Sequence, residues 1–143
     1  MSVGAVEHVL VLSDDIDGTR DWYCQVVGLS VGTRPPLAFP GYWLYAGAGS
    51  GSACVHIAER ASYAAHAAGL GLDVPERDPG VGPIDHVAFS ADDYGVLMAR
   101  LERFGVPTVM NRVPGGPRQV FIEDPNGVRV EISVRDPETD QAR

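Results

Sequence analysis

Apolar and polar positions fall in short blocks along the chain, and the blocks come twice. Val9-Leu10-Val11-Leu12 is an apolar run of strand length, and a strand is predicted over 5–12. Asp15 or Asp17 can cap a helix running to Val27, with Gly28 at the left-handed position that closes many helices. Strands are predicted near 30–34, 42–46 and 53–58. The order then starts again with a strand over 84–89. Ser90-Ala91-Asp92-Asp93 offers an N-cap, and the helix runs to Phe104 with Leu97, Leu101 and Phe104 on one face. Gly105 ends it, and strands follow near 108–112, 118–123 and 128–134. Asp124-Pro125-Asn126-Gly127 is a hairpin turn, in which Pro fixes φ and Asn-Gly accepts positive φ.

Each half therefore reads βαβββ, and the residues repeat with the elements. Val6-Glu7-His8-Val9 matches Ile84-Asp85-His86-Val87 at an offset of 78. The helix ends at Gly28 and Gly105, and Trp43-Leu44-Tyr45 and Val120-Phe121-Ile122, match at 77. Cys54-Val55-His56-Ile57 matches Arg129-Val130-Glu131-Ile132 at 75. Self-similarity of this kind outranks any single-residue signal. The expected division is a first module over 1–59, a linker over 60–82, a second module over 83–135 and a frayed, charged tail over 136–143, all within one domain. The linker holds an alanine-rich helical pattern, Tyr63–Ala68, and a Pro/Gly-rich stretch from Pro75 to Pro83.

Composition narrows the partners. The chain has 143 residues, 45% hydrophobic and 21% charged, an ordinary globular balance. Its net charge of −8 argues against nucleic acid and against an anionic membrane surface, both of which call for a basic footprint. No apolar run reaches bilayer length, and no basic segment precedes Val9, so the expected compartment is the cytoplasm. Cys24 and Cys54 fit that compartment as two small buried thiols.

The repeat also organises the chemistry. Of four histidines, His8 and His86 occupy the same repeat position, and His56 stands where the second copy has Glu131. If the modules pack with their first and last strands adjacent, three imidazoles and one carboxylate converge as a metal set. Taken singly, each His reads as a satisfied core or edge residue and Glu131 as a solvent-facing strand residue. Four at matched positions favour the metal site, since a buried Glu beside neutral imidazoles needs a cation.

These features resemble the vicinal oxygen chelate superfamily, which includes glyoxalase I, extradiol dioxygenases, and fosfomycin- and bleomycin-resistance proteins. The resemblance rests on Glu-His-Val-Leu-Val at 7–11, Trp-Tyr-Cys-Gln-Val-Val-Gly-Leu at 22–29, Asp-His-Val-Ala-Phe at 85–89 and Phe-Ile-Glu-Asp-Pro-Asn-Gly-Val-Arg-Val-Glu-Ile at 121–132. It implies an α+β fold of two βαβββ modules, a cupped mixed sheet with outer helices, and a homodimer. It carries metal ligation to His8, His86 and Glu131. The fourth position departs, because glyoxalase I-like members place a Glu where this chain has His56. If His56 ligates, proton-transfer chemistry follows, with Glu131 or His56 as base. If it stands off, a catecholate and dioxygen can share the open positions, with His56 as a nearby base.

The expected function is a divalent-metal enzyme acting on a small chelating substrate, with Fe(II) or Mn(II) favoured and Ni, Co or Zn as alternatives. The reading leans to an extradiol-type dioxygenase. A glyoxalase I-like lyase, isomerase or epimerase comes next, then a thiol transferase similar to fosfomycin-resistance proteins. The alternative of another class is a drug-sequestering protein similar to bleomycin-resistance proteins. Tyr42, Trp43, Tyr45 and Phe121 are candidates to floor an apolar pocket, and Arg118 and Arg34 to hold an anionic group; the bland alternatives are core filling and solvated edges. Asn111 and Gln119 are unspecific polar contacts, Cys54 a thiol on the face of His56, and His66 a surface residue.

Overall fold

The computed structural model describes residues 6–47, 51, 53–72, 74, 86–114 and 116–135. The chain divides into two compact units, residues 1–77 and 78–143. In the first, β1 (Val9–Ser13) leads to α1 (Ile16–Trp22), whose last residues continue as a π-helical turn, Tyr23–Val27. Then come β2 (Ser30–Val31), β3 (Gly41–Tyr45), β4 (Ala53–Glu59) and α2 (Arg60–Gly69). The sheet order is β1-β4-β3-β2, with β1 parallel to β4 and the remaining pairs antiparallel. The second unit repeats the plan with β5 (Val87–Ala91), α3 (Tyr94–Arg103), β6 (Val109–Arg112), β7 (Arg118–Glu123) and β8 (Arg129–Val134), in the order β5-β8-β7-β6. The fold is thus α+β, as expected.

The repeat holds in the ladders, but the middle strands align one residue away from the sequence reading: Trp43 corresponds to Phe121 at an offset of 78, not to Val120 at 77. Leu10 and Trp43 lie beside His56, as Ala88 and Phe121 lie beside Glu131. Alternation along each strand sends one set of side chains to the helix and the other to the opposite face. In the first unit Val11, Leu44, Val55 and Ile57 are buried with Tyr23 and Val26 of the helix. In the second, Val120, Ile122, Val130 and Ile132 are buried with Leu97 and Leu101 of α3. Phe104, expected on the same face, is 41% exposed. It follows the last turn of α3, where Gly105 at φ +61° redirects the chain, and the Arg103 guanidinium lies over its ring.

Boundaries differ from the periodicity where polar groups find partners that it does not show. Of the two candidate caps, Asp15 is the one used, accepting from Gly18 N at 2.9 Å. Asp93 does the same for Val96 N at 2.9 Å. β1 continues to Ser13, whose buried hydroxyl bonds Thr19 Oγ1 at 2.9 Å and accepts from Asp15 N. β5 continues to Ala91 because its parallel ladder with β8 runs that far. The π turn closes on Gly28 at φ +91°, whose N–H reaches back five residues to Tyr23 O. In the 124–127 turn only Gly127 takes positive φ; Asn126 does not, and the Asp124 carboxylate accepts from Asn126 N and Val128 N instead. The first ten residues assigned to the linker are α2, which packs on β4 and β1. Residues 75–83 and the tail 136–143 lie outside the described residues. No helix among the described residues is long and apolar enough to cross a membrane.

Candidate functional site

In the first unit the sheet face away from α1 carries His8, Leu10, Trp43 and His56. His8 stands one residue before β1, and its ring stacks on His56 with centroids 3.8 Å apart and planes 10° apart. Trp43 stacks on His56 at 4.0 Å and 10°. Burial first, and then the neighbouring charge of His8, pull the His56 pKa below its ordinary value, so this imidazole is neutral at neutral pH. A cleft of about 200 Å³ opens here, lined by His8, Leu37, Phe39, Trp43, His56 and Tyr63 among others. Phe39 meets Tyr63 edge-on at 5.2 Å and packs on His66 at 5.0 Å. His66 is therefore half-buried in an aromatic cluster rather than a surface residue.

Other candidates of this unit are placed elsewhere or occupied. Tyr42 faces α1, donating to the Asp17 carboxylate and accepting from Arg20 Nη1 at 2.7 Å. Tyr45 donates to Thr33 O at 2.7 Å. Arg34 donates to Phe39 O at 2.6 Å with its guanidinium over the Phe39 ring, so it braces the cleft wall. Cys24 and Cys54 are free thiols, half-buried rather than buried. Burial and the adjacent Asp21 raise the Cys24 pKa, which suits an inert thiol.

In the second unit His86 stands one residue before β5, and Glu131 is at the middle of β8 with its carboxylate nearly covered. His86 Nε2 lies 2.9 Å from Glu131 Oε2. Gln119 Nε2 donates to Glu131 Oε1 at 2.9 Å, and Asn111 Nδ2 donates to Gln119 Oε1 at 2.8 Å. Phe121 stands edge-on to His86 at 5.9 Å. Arg118 takes the opposite parity and lies over the Tyr94 ring at 4.5 Å, on the α3 side. Sequence reasoning assigns Gln119 and Asn111 no specific role; the turn at 124–127, which sets Gln119 and Phe121 on the face of Glu131, is the signal that could have found them.

Among the described residues neither unit alone holds three or more His, Cys, Asp and Glu placed for an ion; each brings together two of the four predicted ligands. The second pair has the donor types, an imidazole nitrogen and a carboxylate oxygen, and the spacing that a divalent cation can use. Two donors in adjacent positions on an ion with bonds of about 2.1 Å stand about 3.0 Å apart, and Nε2 and Oε2 are 2.9 Å apart. An ion would take the place of their direct contact. The first pair fits differently. Imidazole lone pairs lie in the ring plane, and in two nearly parallel planes they run side by side. As placed, one of His8 and His56, not both, can direct a nitrogen at a given ion.

The family model described as Glyoxalase/Bleomycin resistance protein/Dioxygenase superfamily matches residues 5–132. Biphenyl-2,3-diol 1,2-dioxygenase 2 of Rhodococcus globerulus is 25% identical over 130 residues, 89% of this chain; the chain spans 60% of that enzyme's length. Lactoylglutathione lyase from Agrobacterium tumefaciens superposes with a TM-score of 0.64 at 21% identity, covering 94% of this chain and 96% of that one. A genomically encoded fosfomycin resistance protein from Listeria monocytogenes gives 0.64 at 16%, covering 96% and 98%. At these identities the two structures speak for the fold alone.

Proposed function

The chain belongs to the Glyoxalase/Bleomycin resistance protein/Dioxygenase superfamily, and from that premise we propose that it is a divalent-metal enzyme with extradiol-type dioxygenase activity on a small substrate bearing adjacent oxygens. The observation that carries this reading is the ring stack. With His56 packed between His8 and Trp43 as a neutral imidazole, the proposed ligands are His8, His86 and Glu131. Fe(II) fits a two-histidine, one-carboxylate set, with Mn(II) next. Such an ion would supply Lewis acidity toward a bound hydroxyl and, as iron, access to dioxygen.

The chain's own groups do the rest. His56 accepts the proton from a substrate hydroxyl, a role that suits an imidazole neutral at pH 7. Trp43, Phe39 and Tyr63 wall the cleft and exclude water from an apolar ring. The dioxygenase relative of Rhodococcus globerulus supports the same direction. A cytoplasmic setting belongs to this proposal and is supported by the free thiols Cys24 and Cys54.

Elemental analysis of protein purified anaerobically without chelators, beside a His56→Ala variant, tests the reading. Iron retained by both proteins, with oxygen uptake on a catechol panel by the wild type, is the expected result. Nickel, cobalt or zinc lost on removing His56 would favour a glyoxalase I-like lyase, isomerase or epimerase. No metal in either protein after reconstitution, with tight ligand binding retained, would overturn the enzyme reading in favour of a sequestering protein, whose ligand the aromatic cleft would hold.

A further inference from the structure

We propose that Asn111 and Gln119 are positioning residues: a one-way amide relay that fixes Glu131 so that only Oε2 is offered to an ion. The proposal rests on the reading of Glu131 as a ligand. Its direction follows from chemistry. An ionised carboxylate can only accept, so Gln119 must turn its NH₂ toward Glu131 and its carbonyl toward Asn111. Asn111 must then offer its own NH₂, as it does at 2.8 Å. The three residues sit on adjacent strands β6, β7 and β8, so the sheet itself holds the relay. With Oε1 engaged at 2.9 Å and Oε2 opposite His86 Nε2, the buried carboxylate has little freedom to rotate. Partners of this kind govern ligand orientation and affinity.

The relay makes a prediction opposite in sign to simple electrostatics. Asn111→Asp adds a negative charge near the site, which by Coulomb's law alone would strengthen cation binding. In the relay, the introduced carboxylate can only accept, so Gln119 stands between two carboxylates that both call for its NH₂, and its hold on Glu131 Oε1 is weakened. Mn(II) affinity of the full chain, measured by calorimetric titration, should then fall roughly ten-fold or more. Asn111→Ala, which leaves Gln119 free to keep its orientation, should fall less. Equal or tighter Mn(II) binding by Asn111→Asp would overturn the relay.

A second readout needs no metal. In metal-free protein the Gln119 side-chain amide resonances should shift in Asn111→Asp and lose their protection from exchange, while backbone amides of the first unit stay in place. Unmoved Gln119 resonances would overturn the relay. Wild-type protein that binds no Mn(II) but shows the amide shift would keep the relay and overturn the metal reading alone.

Discussion

The two units put different chemistry on the same lattice points. In each, a histidine precedes the first strand, an aromatic sits mid-hairpin, and the residue beside that aromatic on the last strand faces the histidine. Where that last residue is His56, the contacts are stacked rings, 3.8 Å to His8 and 4.0 Å to Trp43, beside an apolar cleft. Where it is Glu131, they are hydrogen bonds, continued through Gln119 to Asn111. The exchange of His56 for Glu131 at corresponding positions thus accompanies a change from ring stacking beside an apolar cleft to a chain of polar contacts. The lesson is that duplication conserves the coordinates of a site while leaving its interaction type free.

If the scaffolds are equivalent, matching core truncations should cost alike. Leu44 and Ile122 occupy corresponding buried positions at 0% and 3% exposure. Leu44→Ala and Ile122→Ala should each lose about 2–5 kcal/mol in urea unfolding, and a loss confined to one would break the equivalence. The functional contrast is tested next by Glu131→Ala, which should weaken Mn(II) binding by more than the about 10–100-fold typical of supporting residues, whereas His56→Ala should retain binding. The caps return to equivalence: Asp15→Ala and Asp93→Ala should each cost about 1 kcal/mol in the same unfolding measurement.

The mildest effect is a slope with pH. His56 has a folded pKa below its ordinary 6.5, so as pH falls the unfolded chain takes up this proton first. Its contribution is full above about 6.5 and declines as pH drops from there toward the folded value. His56→Phe should flatten that decline in unfolding midpoints measured across the range, while an unchanged slope would sink the assignment.

How much is legible in the sequence follows from which signals are local. β7 falls on 118–123 as read, because turn chemistry bounds it on the Asp124 side and its own alternation fixes its faces. The aromatic run 42–45 cannot all line one pocket, since neighbours on a strand point to opposite faces; register beside His56 selects Trp43 and leaves Tyr42 with Asp17 and Arg20. Ser13 escapes a sequence reading because the partners of its buried hydroxyl, Thr19 Oγ1 and Asp15 N, are supplied only by the turn into α1. His66 reads as surface because its neighbour Phe39 comes from a loop with no period at all. The repeat matches His8 to His86 and His56 to Glu131 and reads the four as one set; each unit brings two of them together, His8 with His56 and His86 with Glu131. Stacking against hydrogen bonding requires side-chain orientation, which no spacing encodes.

The parallel joining of first and last strands has a kinetic consequence. The hairpins β3–β4 and β7–β8 are close in sequence and can zip early, bringing Trp43 beside His56 and Phe121 beside Glu131. β1 and β5 dock only after the intervening helix and strands exist, so the loop-closure entropy falls on that last event. The stacked imidazoles and the His86–Glu131 contact are then late-forming. Mutations at His8 or His86 should speed unfolding and leave the refolding rate nearly untouched, while mutations in the hairpins slow refolding. A spectroscopic probe on either histidine would time the closing step of each unit.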